Sequence, residues 1–221
     1  MSSPDGARPI TATEADRRWD PWTPSVVAAR LNTCSAPWAV AGGWAIDLFA
    51  GGISRAHADI EITVPRTAFP DIAAAFPEYE WDIVGDGHLW PYAHAADRTD
   101  LHQTWLRDPF TGAFHLDVFR EPHRGDTWIC RRDPAITLPY AELIRTTPSG
   151  IPYLIPEVVL LFKAKANRAK DDADFRRVLP LLTQARRARL ASWLARVHPD
   201  HPWLSPEEAV KSAGVRRQYS D

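Results

Sequence analysis

Sulfur is scarce in this chain. Two cysteines, Cys34 and Cys130, stand far apart in 221 residues. So few, so widely separated, exclude a disulfide scaffold and a cysteine-built zinc cluster. No apolar run approaches the roughly 20 residues of a membrane span. No charged-then-apolar leader opens the chain, so the expectation is a cytoplasmic protein with no membrane partner. An excess of basic charge is also missing. Lys and Arg total 26 against 28 Asp and Glu, a net charge of -2, which argues against a nucleic-acid surface. No internal repeat or low-complexity segment is present.

What is present is ample apolar content for a core, 45% of the residues, and one dense stretch between Gly42 and Val64. Trp38 to Ala41 reads as a short strand. Gly42 and Gly43 follow, where the backbone can turn sharply and approach a ligand closely. They open a short helix, whose free N–H groups and positive dipole end favour phosphate. From Asp59 to Val64, Asp59, Glu61 and Thr63 alternate with Ile60, Ile62 and Val64, the period of a half-buried strand. Asp59 and Glu61 then share a face, roughly 6–7 Å apart. Two carboxylates so placed suit a hard cation such as Mg²⁺. By itself the acidic pair reads equally as a solvated strand face. The order Gly-Gly, helix, Asp-x-Glu strand is more specific than either part.

These residues, Gly42-Gly43-Trp44-Ala45-Ile46-Asp47, Gly51, Arg55-x-His57-x-Asp59-Ile60-Glu61, resemble the signature of small antibiotic nucleotidyltransferases. The likeness is to the aminoglycoside 2″-adenylyltransferase-like group and the lincosamide nucleotidyltransferases, within the polymerase-β-type superfamily. It implies that Gly42 and Gly43 contact a nucleoside triphosphate and that Asp59 and Glu61 hold Mg²⁺. The family pattern has Asp where Glu61 stands; the charge is kept and one methylene is added. The resemblance also implies a third carboxylate on a neighbouring strand. Asp117, alternating with Leu116 and Val118 between Ala113 and Phe119, is the candidate, as general base, third metal ligand or both. The element Lys170-Asp171-Asp172-Ala173-Asp174 resembles the family's C-terminal part. There Lys163 or Lys170 could reach triphosphate oxygens, and the solvated-face reading of this charge run stays open. Arg55 either assists phosphate binding or, with His57, holds the strand entry in place.

The remaining pattern predicts support. Residues 1–19 read as a loose lead-in. Thr23-Pro24 starts a helix, and Thr67 caps another running to Phe76. Tyr79 to Val84 is a strand. His88 to Thr104 is irregular and aromatic, either an acceptor-pocket wall or a structured loop. Its histidines lack metal-ligand spacing. A hairpin joins Thr104–Leu106 to Phe114–Phe119. Short strands are expected at Trp128–Cys130 and Ala135–Leu138, with Arg131-Arg132-Asp133 a solvated turn. Glu142–Thr146 and Ile151–Leu154 flank a turn at Thr147–Gly150. Helices follow from Ile155-Pro156, from Asp171 or Asp172, and over Arg186–Val197. From Pro199 the chain reads as a loosely ordered tail.

The expectation is an α/β (α+β) nucleotidyltransferase fold with a mixed twisted sheet flanked by helices. It comprises a nucleotidyltransferase domain over 20–140 and a helical segment over 141–198. The expected reaction, as the resemblance implies, moves AMP from Mg-ATP to a hydroxyl of a small molecule such as an aminoglycoside- or lincosamide-type antibiotic, with release of pyrophosphate. Two other readings are kept. One is a toxin–antitoxin-type transferase acting on protein or RNA. The other, motivated by Glu61, is a nucleotide-binding relative without catalysis.

Overall fold

The computed structural model describes residues 6–205. Residues 1–5 and 206–221, which include parts of both expected tails, lie outside the described residues.

The chain opens with strand β1 (Arg8–Pro9) and helix α1 (Ala12–Arg18). This corrects the loose lead-in expected over residues 1–19. Thr11 caps α1 by accepting from the Glu14 N–H, β1 pairs with His88 and Leu89, and Ile10 and Ala15 join a small apolar cluster with Leu89, Trp105 and Phe114. Next come α2 (Pro24–Arg30), capped by Thr23 as expected, β2 (Ala39–Val40) and α3 (Gly42–Ala50). β3 spans Glu61–Pro65. A 3₁₀ turn at Arg66–Ala68 precedes α4 (Phe69–Ala74). Thr67 is therefore not a helix cap; its hydroxyl meets His123 Nε2 at 2.8 Å.

β4 (Glu80–Gly85), β5 (His88–Pro91), α5 (Tyr92–Ala95) and β6 (Gln103–Arg107) follow. β5 corrects the irregular segment expected from His88. The Gly85-Asp86-Gly87 turn folds it back on β4, and Leu89 and Trp90 are buried. β7 (Phe114–Glu121) completes the hairpin with β6. A small second sheet contains β8 (His123–Arg124), β9 (Thr127–Ile129) and β10 (Thr137–Pro139). Helix α6 (Tyr140–Leu143) leads to β11 (Ile144–Thr146) and β12 (Pro152–Leu154). Three helices end the described chain, α7 (Pro156–Lys163), α8 (Ala169–Val178) and α9 (Gln184–Val197).

The main sheet has nine strands in the order β1-β5-β4-β6-β7-β3-β2-β12-β11. The β3–β7 and β12–β2 pairs are parallel and the others antiparallel, so the fold is a mixed α/β sheet flanked by helices, as expected. The boundary expected at residue 140 falls inside this sheet. β12 lies beside β2, pairing Tyr153 with Val40, and the helical part begins at Pro156. One large core joins α3, α7, α8 and α9 to the sheet. Glu157, fully buried at the start of α7, ties that helix to α9. Arg186 donates to it at 2.8 and 2.6 Å and Arg189 at 2.5 Å. Past α9, the turn at Pro202–Leu204 stacks Trp203 on Phe175 with ring centroids 4.4 Å apart. The part of the expected tail over 199–205 is thereby packed. The Trp203 indole donates to Asp172, which consequently is not the helix cap.

Candidate active site

Two neighbouring strands build the centre of the site. β3 and β7 run parallel with Glu61 directly opposite Asp117. Residues opposite one another project from the same face, roughly 5 Å apart. Glu61 and Asp117 are thereby brought together. Asp59 is not on the strand, which corrects the premise that Asp59 and Glu61 alternate along it. Pairing starts only where the Asp117 N–H donates to the Ile60 carbonyl at 2.9 Å. Asp59 lies half-buried in the segment just before, close enough that its charge acts on both other carboxyls.

The segment from Gly51 to Ala58 has no ladder partner because side chains hold it instead. Asp47, 3% exposed on α3, accepts from the Ser54 hydroxyl at 2.7 Å, from His57 Nε2 at 2.7 Å and from Arg177 of α8. Arg55 donates to His57 Nδ1 at 3.1 Å. A guanidinium only donates, so Nδ1 is the acceptor and the proton sits on Nε2, facing Asp47. Burial favours this neutral ring and pulls the His57 pKa down. Arg55 also approaches Asp174 of α8 at 3.6 Å. Of the two readings of Arg55, these contacts match the structural one.

The glycines are required by contact. Gly42 has a positive φ of 58°, and a Cβ placed there would lie 2.7 Å from Glu61 Cδ and closer still to its carboxyl oxygen. At Gly43 a Cβ would come within 2.8 Å of the His57 ring. The pair thus makes room for Glu61 and for the Arg55–His57 layer.

Burial pushes the Glu61 carboxyl up to about 7, helped by the charge of Asp59. Asp117, 2% exposed, is raised well above the usual carboxylate range by burial first and by Glu61 second. Its Oδ2 accepts from Gln103 Nε2 at 2.5 Å, while Oδ1 is buried without a hydrogen-bond partner. Two adjacent carboxyls held towards protonation, with one oxygen unsatisfied, are suited to a hard divalent cation. The donor chemistry fits Mg²⁺, although among the described residues no group of three or more His, Cys, Asp or Glu side chains stands together as a metal cluster.

A cavity of about 220 Å³ opens beside Glu61. Gly42, Glu61 and Thr63 form one side, Phe119 and Glu121 the floor, and α7 the roof through Val158, Phe162 and Lys163. Lys163, 9% exposed, pairs with Asp171 at 3.2 Å and Asp174 at 2.9 Å. Arg168 completes that end, donating to Asp171 at 2.8 Å. Lys170 is exposed on the first turn of α8 and bears on Glu61 only through its charge. Arg131 and Arg132, expected on a solvated turn, also line the cavity. Both guanidiniums stack on Phe162, at 4.3 and 4.6 Å, and Arg132 donates to the last carbonyls of α7.

Sequence reasoning gave no role at the site to Glu121, Gln103, Arg168, Arg131, which it put on a solvated turn, or Asp47, which it quoted only as part of the signature. A signal existed for Glu121, which shares the face of Asp117 by strand alternation. It existed also for Asp47, a lone acid inside an apolar helix. Gln103 and the arginines carry none that periodicity could reveal.

Residues 25–105 match the family model described as Aminoglycoside-2″-adenylyltransferase. That span is less than half of the 221 residues. The matched span holds the glycine turn, Asp59 and Glu61; Asp117 and Lys163 lie beyond it. No curated protein matches the chain. Among solved structures, the chain is similar to the lincosamide antibiotic adenylyltransferase LnuA in its lincomycin-bound form, at 14% identity and a TM-score of 0.49, over 77% of this chain and 98% of that one. It is similar to ANT(2″)-Ia in complex with adenylyl-2″-tobramycin, at 15% identity and 0.42, over 88% and 95%. A third likeness is to an antigenic nucleotidyltransferase-like protein from Paracoccidioides brasiliensis, at 18% and 0.39, over 93% and 95%.

Proposed function

We propose that the protein transfers AMP from Mg-ATP to a hydroxyl of a small molecule, of the kind found in aminoglycoside or lincosamide antibiotics, and so confers resistance. The observation that carries this reading is the in-register pair Glu61 and Asp117 beside Gly42, inside and adjoining the stretch matched by the family model.

Asp59, Glu61 and Asp117 would hold the divalent ion, whose role when bound is to neutralise triphosphate charge and orient the α-phosphate. Lys163 and Arg168, at the α8 end of the cavity, would bind the triphosphate oxygens, with Lys170 adding positive potential from the rim. Gly42 and Gly43 let the backbone approach the phosphates. Asp117 takes the proton from the acceptor hydroxyl as its oxygen bonds to the α-phosphorus. The bond from that phosphorus to the β-phosphate oxygen breaks, and pyrophosphate leaves. Gln103 keeps the Asp117 carboxyl oriented for that transfer through its hydrogen bond.

The test is pyrophosphate release from Mg-ATP across a panel of hydroxyl-bearing antibiotics, with Asp59→Asn as control. Release that needs both acceptor and Asp59 is expected. Release on no acceptor overturns the reading.

A second reading, nucleotide binding without turnover, draws on the position of Glu61, whose longer side chain fills the space over Gly42. Tight ATP binding with no transfer to any acceptor is its signature.

A further inference from the structure

We propose that Glu121 forms a binding subsite for the acceptor at the far end of the cavity. It would take a hydrogen-bond donor, a hydroxyl or an ammonium group, from the molecule that receives AMP. The inference rests on the nucleotidyl-transfer reading and says how long the acceptor is and what it must carry.

Glu121 is 4% exposed and lines the cavity. Arg131 donates to its Oε1, but Oε2 is buried with no hydrogen-bond partner. A buried carboxylate oxygen left unpaired is costly, on the order of 1–3 kcal/mol. A donor arriving in the cavity removes that cost. The Tyr140 hydroxyl, also without a hydrogen-bond partner, lies near enough to feel the Glu121 charge. The wall around Glu121 is aromatic. Phe119 and Phe162 line it, with the Arg131 guanidinium packed between them at 4.9 and 4.3 Å. Trp128 lies buried at the same wall and its side chain also bears on Glu121. Such a mix of apolar and polar lining suits an amphipathic small molecule.

β7 also supplies a ruler. Asp117, Phe119 and Glu121 occupy alternate positions and so share a face. Four steps along the strand take the first to the last, about 13 Å at the usual rise. An acceptor whose hydroxyl reacts at Asp117 therefore carries its donor about 13 Å away, the length of about two linked rings.

Calorimetric titration of tobramycin, rich in amines, and of lincomycin, rich in hydroxyls, into the full chain tests this directly. Glu121→Gln keeps the shape and an oxygen for Arg131, but replaces the free acceptor oxygen with a donor. Binding of at least one compound is expected to weaken tenfold or more. The acceptor KM should rise in proportion, with kcat and the KM for ATP within twofold. Loss for either compound upholds the subsite, and the compound that loses more carries the donor that fits it better. Glu121→Asp keeps the Arg131 pair but withdraws the free oxygen, and should weaken binding less. Unchanged affinity in a variant that melts like the wild type overturns the subsite, as does wild-type protein that binds neither compound. Binding that depends on Glu121 without AMP transfer instead upholds the subsite and overturns the transferase reading.

Discussion

The Glu61 carboxyl sits in the volume that a side chain at Gly42 would need. Residue 42 is therefore constrained twice, by its left-handed backbone and by its neighbour. Gly42→Ala should cost about 1–3 kcal/mol from the backbone alone, plus displacement of Glu61. We expect a lowered urea midpoint together with lost transfer activity. An alanine variant as stable and as active as wild type would show that Glu61 does not occupy that place.

The raised carboxyls predict a pH dependence. Glu61 titrates near 7 when folded, against an ordinary glutamate value when unfolded. Between those values the folded chain binds more protons than the unfolded chain, so this group's contribution falls as pH rises. In metal-free buffer the stability of wild type relative to Glu61→Gln should drop by a few kcal/mol from pH 4.5 to 8. Added Mg²⁺ should restore much of it at pH 8. Urea titrations of both proteins, with EDTA and with Mg²⁺, measure the difference; a gap that widens in favour of wild type at high pH would refute the assignment.

Asp117 and Gln103 should separate chemistry from orientation. Asp117→Asn is expected to lower kcat by 10² or more, in line with the loss of a general base, while nucleotide affinity changes little. Gln103→Ala should lower kcat by about tenfold and leave the KM for ATP alone. Steady-state kinetics on the best acceptor decides this. A Gln103 variant that affects only ATP binding would place that residue at the nucleotide.

Asp47 carries the segment that delivers Asp59. Asp47→Ala removes the acceptor shared by Ser54, Arg177 and the neutral His57, and leaving buried donors unsatisfied costs about 1–3 kcal/mol. Amide exchange should accelerate over residues 51–58 before the sheet is affected. Uniform exchange across the whole sheet would mean that the segment is held by something else.

Reading the sequence located the elements well where structure follows from local pattern. The Gly42–Gly43 turn, the alternation from Glu61 to Val64 and the strand around Asp117 were all legible. Strand register was not, yet register is what sets Glu61 opposite Asp117. Asp59 looked like a strand residue because alternation continues through it. The backbone there is governed by long-range bonds from Asp47, His57 and Arg177, which no window reveals. Arg131 and Arg132 looked solvated because two adjacent arginines usually are. Their stacking on Phe162, about 30 residues on, reverses that. Residues 8–18 were missed because a two-residue strand and a seven-residue helix, with Ala15 its only buried residue, show no period of their own.

Because β12 lies against β2, the chain has no seam at residue 140. A fragment ending there would lose the strand that flanks the glycine turn and, with it, the helix bearing Lys163. Complementation by two separately expressed halves is therefore an unpromising route to a shorter protein, and random insertions should be tolerated far better at the exposed hairpin tip near Phe110 than within β12.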